Sequence, residues 1–372
     1  MNEYPFLTWV YFGFFALAAV TGFFCTAISI RFARRYKFLD YPGPIKLHGR
    51  PTPYLGGVAI FASFWSVLWL VSTLLQSPPV RSGLSRFIPP DLGIQLTGAG
   101  SLWPGILGCG ALILLLGLID DRWVLKYYLK FIGQVVVAVL MVRCGLHIQF
   151  FSGLGLLGDG ITVFWIVLLL NAFNFIDSVN GHCSGVVLIA CGTYFIVSQF
   201  VDQPAIGIVM AVLAGSIVGF MPFNFHHART FLGDNGSLFL GYMMAIVSLL
   251  SSYKSIQPVM MTPAVPLFVF GVPIYDLMSV VCVRLYRGMA PWRGDRNHFA
   301  HRLVRMGMKG HDAVFFSYIV AMATGLIAIL STQITSMRGH AITFLLYLLI
   351  LMIIAILEYH SVVLKDSGDE KR

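Results

Sequence analysis

Asp120 and Asp121 stand side by side at the end of an apolar run, in Leu118-Ile119-Asp120-Asp121-Arg122. Adjacent carboxylates repel unless a cation sits between them, so the pair suits a hard-cation ligand or a general base. A solvated helix end, paired with Arg122 and Lys126, is the other reading open to it. Asn171, Asn174, Asp177 and Asn180 recur every three residues, which puts four polar groups on one helix face. Such a face lines a polar site or packs against another helix. Gly233-Asp234-Asn235-Gly236 precedes a further apolar run. Glycines there let backbone N–H groups approach an anion at a helix start while the carboxylate holds a cation, although the same residues also make a plain turn. Arg296, His298, His301 and Arg302 crowd a basic segment in which guanidinium forks match phosphate or carboxylate oxygens. Lys46 and His48, in the proline-stiffened stretch from Asp40 to Gly57, are either phosphate contacts or interfacial anchors. Carboxylates, amides, glycine turns and arginines together suit phosphoryl transfer with a divalent metal, where positioning and charge neutralisation supply most of the acceleration. The sequence has neither a Walker phosphate loop nor a Rossmann glycine run, which excludes P-loop ATPases and dinucleotide enzymes.

The elements that must hold these residues are membrane helices. At 58% hydrophobic and 11% charged residues, with a mean hydropathy of +0.81, the chain has too little polar surface for a soluble globule. A bilayer crossing takes about 20 apolar residues. The pattern predicts an all-α polytopic protein with about eleven transmembrane helices, at 7–30, 54–75, 102–119, 131–146, 161–176, 186–201, 205–222, 237–251, 263–283, 313–331 and 341–357. An N-terminus outside and a cytoplasmic C-terminus leave 20 of the 25 basic residues on inner segments, as the positive-inside rule requires. The net charge of +9 is therefore a topology signal before it is an anion-binding one, and it implies no nucleic acid partner. All five groups above fall on the inner face. The six cysteines lack paired spacing and point to neither disulfides nor zinc. Without repeats or linkers, residues 1–372 read as a single transmembrane domain.

The order of these motifs, from Asp40 to Arg302, resembles the polyprenyl-phosphate N-acetylhexosamine-1-phosphate transferase family (glycosyltransferase family 4). In that family a lipid phosphate oxygen attacks the sugar-bearing phosphate of a UDP-N-acetylhexosamine, UMP leaves, and Mg2+, or Mn2+ in its place, is required. The resemblance implies that Asp120 and Asp121 are the catalytic aspartate pair and that Asp234 and Asn174 bind the metal and the diphosphate. It assigns Asn171, Asp177 and Asn180 to the nucleotide-sugar loop, Arg296, His298, His301 and Arg302 to the sugar and diphosphate, and Lys130, Lys46 and His48 to substrate binding. The partners it implies are a UDP-N-acetylhexosamine, undecaprenyl (polyprenyl) phosphate and the lipid bilayer; a homodimer is compatible with it. The setting it implies is the bacterial inner (cytoplasmic) membrane, with the active site facing the cytoplasm. The phospho-MurNAc-pentapeptide translocases carry three adjacent histidines, whereas His298-Phe-Ala-His301-Arg302 is closer to the bacterial undecaprenyl-phosphate GlcNAc-1-phosphate transferases of cell-envelope polysaccharide synthesis. The sequence departs from the family pattern at Val124, Ser178, His182 and Ala300. A transporter of anionic substrates, the remaining reading, would place its polar residues near the bilayer midplane rather than at span ends.

Overall fold

The computed structural model describes residues 7–42, 49–78, 92, 102–225, 228–251, 264–293 and 297–369. Its helices are α1 (Leu7–Arg35), α2 (Gly56–Gln76), α3 (Trp103–Trp123), α4 (Tyr127–Arg143), α5 (Leu156–Ile176), α6 (His182–Phe200), α7 (Pro204–Asn224), α8 (Gly233–Leu250), α9 (Val265–Val269), α10 (Gly271–Tyr286), α11 (Phe299–Arg305), α12 (Gly310–Gln333) and α13 (Met337–Asp369). Among the described residues, eight of these are long and apolar enough to cross a membrane: α1, α2, α3, α5, α6, α7, α12 and the Met337–Glu358 part of α13. The protein is an all-α, multi-pass membrane protein. The other expected crossings fall on α4 with 17 residues, α8 with 18, and the pair α9 and α10. That last segment breaks at Phe270, and Pro273, at the third residue of α10, has no N–H to donate to the preceding turn.

Apolarity alone does not decide which helix goes inside, because lipid is as apolar as a helix interior and close packing favours small residues. The most apolar span, in α13 with a mean hydropathy of 2.7, lies at the edge. In α8 every residue from Asn235 to Leu249 is buried, and the helix packs on α2, α3, α5 and α6. Helix α7 is 83% buried over its apolar window, against 22% for α13, so α7 and α8 form the centre and α13 lies at the edge. The outward faces of α1 and α12 expose Phe12, Phe24, Ile28, Ile319 and Leu326, side chains that suit lipid rather than water.

One end of the bundle is tied more tightly than a helix stack requires. Two-residue strands β1 (Leu39–Asp40) and β2 (Thr52–Pro53) pair antiparallel, with Leu39 opposite Pro53. The Phe231 N–H then donates to the Pro53 carbonyl at 2.7 Å, and the Gly56 and Gly57 N–H groups donate to the Phe231 and Leu232 carbonyls at 3.1 Å each. The start of α8 is thereby laid against the start of α2. At the other end a short 3-10 turn (Gln149–Leu154) leads into the first turn of α5.

Candidate active site

Helix α3 ends where Val124 takes a left-handed conformation, and its N–H donates to the Asp120 carbonyl at 2.8 Å. The Leu125 N–H donates to Asp120 Oδ1 at 2.7 Å, so the carboxylate also holds the reversal into α4. Its second oxygen lies 2.8 Å from Lys130 Nζ, one turn into α4. Lys130 reaches Asp234 Oδ2 at 2.5 Å and Asn174 Oδ1 at 3.1 Å as well. Asn174 closes the ring by donating from Nδ2 to Asp234 Oδ1 and Ser237 Oγ, each at 2.9 Å. Three helices thus place Asp120, Asn174 and Asp234 around the ammonium group that Lys130 brings from a fourth. The bland reading of the aspartate pair fails here. Arg122 donates instead to the Lys37 carbonyl and lies over the Phe38 ring, and Lys126 lies over Tyr128.

The two aspartates have different surroundings. Asp121 Oδ1 accepts the Asp234 N–H at 2.9 Å, while Oδ2 accepts the Asn235 N–H at 3.0 Å and the Asn235 amide at 2.6 Å. A carboxylate capping the first amides of α8 is favoured by the helix dipole. Those amides, which the glycine-flanked turn was expected to offer to an anion, are already taken by Asp121. Asn235 is fully buried; it also donates to the Tyr54 carbonyl and accepts the Val58 N–H, which joins α2, α3 and α8. Two glycines make the approach feasible. A Cβ on Gly117 would stand about 2.5 Å from the Asn235 backbone nitrogen, and Gly233 has a φ of +75°, which side chains rarely adopt.

The remaining candidates divide. Asp177 caps the end of α5, half-buried, and its carboxylate makes no hydrogen bond among the described residues. Burial pushes its pKa well above the ordinary carboxylate range, and the charges of Asp234 and Asp121 push the same way. Asn171 turns aside: its amide donates to Gln134 Oε1 at 2.6 Å and to the Val167 carbonyl at 2.8 Å, so it joins α4 to α5 instead of facing Asp234. The even spacing of 171, 174, 177 and 180 holds through the helix but stops at Ile176, which leaves Asp177 and Asn180 in the following turn. Gly181 lies beyond that stop, at the cap of α6, where Asn224 and Tyr318 hold its peptide groups.

His298 caps α11, donates from Nδ1 to Asp276 Oδ2 at 3.1 Å and meets the Phe175 ring edge-to-face at 5.4 Å. Phe175 follows Asn174 in the chain, so the histidine stands one side chain away from the carboxylate ring. The His301 ring lies 6.4 Å from the His298 ring. Arg302 corrects the expectation that it meets the diphosphate. At 1% exposure it donates to Glu358 Oε1 at 2.9 Å, the Asn297 carbonyl at 2.8 Å and Ser279 Oγ at 2.5 Å. A guanidinium so buried among its own partners is structural. Lys46, His48 and Arg296 lie outside the described residues. The sequence reading missed Asn235, Ser237, Asp276 and Glu358. For Asp276 and Glu358 a signal existed, because each is a lone carboxylate in or at the end of an apolar run, which is costly without a partner.

Among the described residues no three His, Cys, Asp or Glu side chains form a ready metal cage. The set present is Asp234, Asp120 and the Asn174 oxygen. Such a partial shell of hard oxygen donors suits Mg2+, which takes one or two carboxylates and completes its coordination with phosphate and water.

Comparison with known proteins places these residues in context. Residues 103–252, from α3 through the end of α8, match the profile of glycosyl transferase family 4. The chain is 29% identical over 340 residues to a probable undecaprenyl-phosphate N-acetylglucosaminyl 1-phosphate transferase of Bacillus subtilis, covering 89% of this chain and 88% of that protein. It is 30% identical over 336 residues to a decaprenyl-phosphate N-acetylglucosaminephosphotransferase of Mycobacterium tuberculosis, covering 81% and 78% respectively. An undecaprenyl-phosphate alpha-N-acetylglucosaminyl 1-phosphate transferase of Yersinia pestis is 22% identical over 321 residues, covering 83% and 80%.

Proposed function

Because the chain belongs to glycosyl transferase family 4, we propose that it transfers N-acetylglucosamine-1-phosphate from UDP-N-acetylglucosamine to undecaprenyl phosphate and releases UMP. The observation that carries this reading is the convergence of Asp120, Lys130, Asn174 and Asp234 at one end of the bundle. An oxygen of the lipid phosphate attacks the sugar-bearing phosphorus of the donor, and the bond from that phosphorus to the bridging diphosphate oxygen breaks. UMP takes the bridging oxygen, and the lipid keeps the sugar on a new diphosphate.

In this reading Asp120 takes a proton from the acceptor phosphate, being the aspartate whose side chain faces the cluster. Asp121 holds Asp234 in place from behind. Lys130 meets the negative charge of the incoming phosphates. Mg2+, bound by Asp234 and Asn174, would neutralise the diphosphate as charge moves onto UMP. Asp177 and Asn180, in the turn beside the cluster, and His298 and His301 across Phe175 are assigned to the nucleotide sugar, with Lys46, His48 and Arg296 completing the substrate groups.

The basic excess at the same end of the helices supports eleven crossings, an N-terminus outside and a site facing the cytoplasm at the bacterial inner membrane. The test is UMP release by purified protein given undecaprenyl phosphate, Mg2+ and one UDP-sugar at a time. Release is expected with UDP-N-acetylglucosamine, lost with EDTA and restored by Mg2+. Release only with UDP-MurNAc-pentapeptide would move the protein to the translocases, and no release with any UDP-N-acetylhexosamine would overturn the reading.

A further inference from the structure

Asp276 belongs to none of the sequence motifs, yet the entry into α11 is bonded to it. It lies in α10 at 0% exposure, inside an otherwise apolar stretch. One oxygen accepts the Phe299 N–H at 2.5 Å, and the other takes Nδ1 of His298 at 3.1 Å. The Arg302 guanidinium stands 3.9 Å from the first oxygen and is itself held by Glu358 of α13, whose other oxygen accepts the Tyr275 hydroxyl at 2.6 Å. His182, buried at the start of α6, and His301 lie in the same electrostatic surroundings, but Nδ1 of His298 is the ring nitrogen bonded to this carboxylate. A second contact fixes the plane of that ring, because Phe175 meets it at an interplanar angle of 88°. Phe175 is in turn covered by Arg284, which donates to the Pro291 carbonyl and so anchors the same segment from its other side.

A carboxylate accepting from Nδ1 requires the hydrogen there, which leaves Nε2 on the opposite edge of the imidazole. Among the described residues Nε2 of His298 has no partner. We propose that Asp276 is a positioning residue for donor binding: with Arg302 and Glu358 behind it, it fixes the tautomer and orientation of His298 so that Nε2 meets the nucleotide sugar. This rests on the assignment of His298 to the donor. The chain of contacts Glu358–Arg302–Asp276–His298 makes the outermost helix, α13, part of the support of that segment.

The test uses the full-length protein in detergent, with two independent readouts. Selective 15N-histidine labelling reports the ring tautomer of His298, its signals identified by their loss in His298→Ala. Kinetics with undecaprenyl phosphate and Mg2+ report KM for UDP-N-acetylglucosamine and for the lipid separately. In the parent protein the His298 ring is expected in the Nδ1–H form. In Asp276→Ala it becomes a mixture, the donor KM rises about tenfold, and the lipid KM stays level. Asp276→Asn keeps one acceptor oxygen and falls between the two; the ring tautomer is the readout that a purely structural role would not move. Glu358→Gln shifts the donor KM in the same direction by about twofold to threefold. If Asp276→Ala does not fold, Asp276→Asn carries both readouts. An unchanged tautomer or an unchanged donor KM in the folded variants would overturn the role of Asp276. An unchanged donor KM in His298→Ala would instead remove the donor assignment of His298, while the ring signals still decide whether Asp276 orients it.

Discussion

The carboxylate ring between α3, α4, α5 and α8 and the histidine segment at the start of α11 differ in how their motif residues are held. In the ring, motif residues hold one another: Asp120, Lys130, Asn174 and Asp234 bond directly, so each supports the others. In the histidine segment the motif residues are held by others. His298 depends on Asp276, and Arg302, which the motif would make a ligand for phosphate, is a buried strut against Glu358. The difference follows from solvation. Asp234 keeps 35% of its side-chain surface exposed and can exchange a protein cation for a ligand, whereas Arg302 and Asp276, at 1% and 0%, cannot leave each other without exposing a charge to an apolar interior.

That contrast can be broken at its strongest point first. Asp120→Asn and Asp234→Asn keep shape and size, so the variants should elute and melt like the parent while kcat falls about 100- to 1,000-fold. Near-parental turnover in either variant would make the ring a structural tie like the Arg302 network. Next in size, Arg302→Ala should lower stability in chemical denaturation by about 3 kcal/mol, since two buried carboxylates lose their cation. Arg302→Lys should recover only part of it, because an ammonium cannot make the fork of bonds to Glu358, Asn297 and Ser279. A loss of turnover with unchanged stability would return Arg302 to the substrate. The smallest effect separates two asparagines of one motif. Asn171→Ala should cost about 1 kcal/mol through Gln134 and leave both KM values level, while Asn174→Ala should weaken the response to Mg2+.

The ring was largely legible in the sequence because its members sit at the ends of apolar runs, where an acidic or amide residue stands out. Lys130 and Asn174 were recognisable as candidates, although the sequence does not say that they meet. The division of labour between Asp120 and Asp121 was not legible, since neighbouring carboxylates on a helix end point about 100° apart and only packing decides what each faces. Asp276 and Glu358 were legible as costly buried charges, but no spacing rule connects them to His298. The Asn171–Asn174–Asp177 face illustrates the limit of periodicity. It holds while the helix holds, and Asn171, one turn deeper, meets Gln134 of α4 instead of the cluster.

By itself the sequence determined the class of structure and picked out the span ends at which acidic and amide residues gather. Apolar content sets where a chain lies in lipid, and charge at the span ends sets how it is oriented; both are sums over local residues and need no fold. Tertiary structure alone decided which groups touch. Lys130 and Asp234 are 104 residues apart, and Arg302 and Glu358 are 56 apart. Bonds across such distances exist only after the helices have packed, and packing is set by shape at contacts such as Gly117 against Asn235. The aspartate pair therefore announced a site, while the approach of α8 to α3 determined which aspartate faces it.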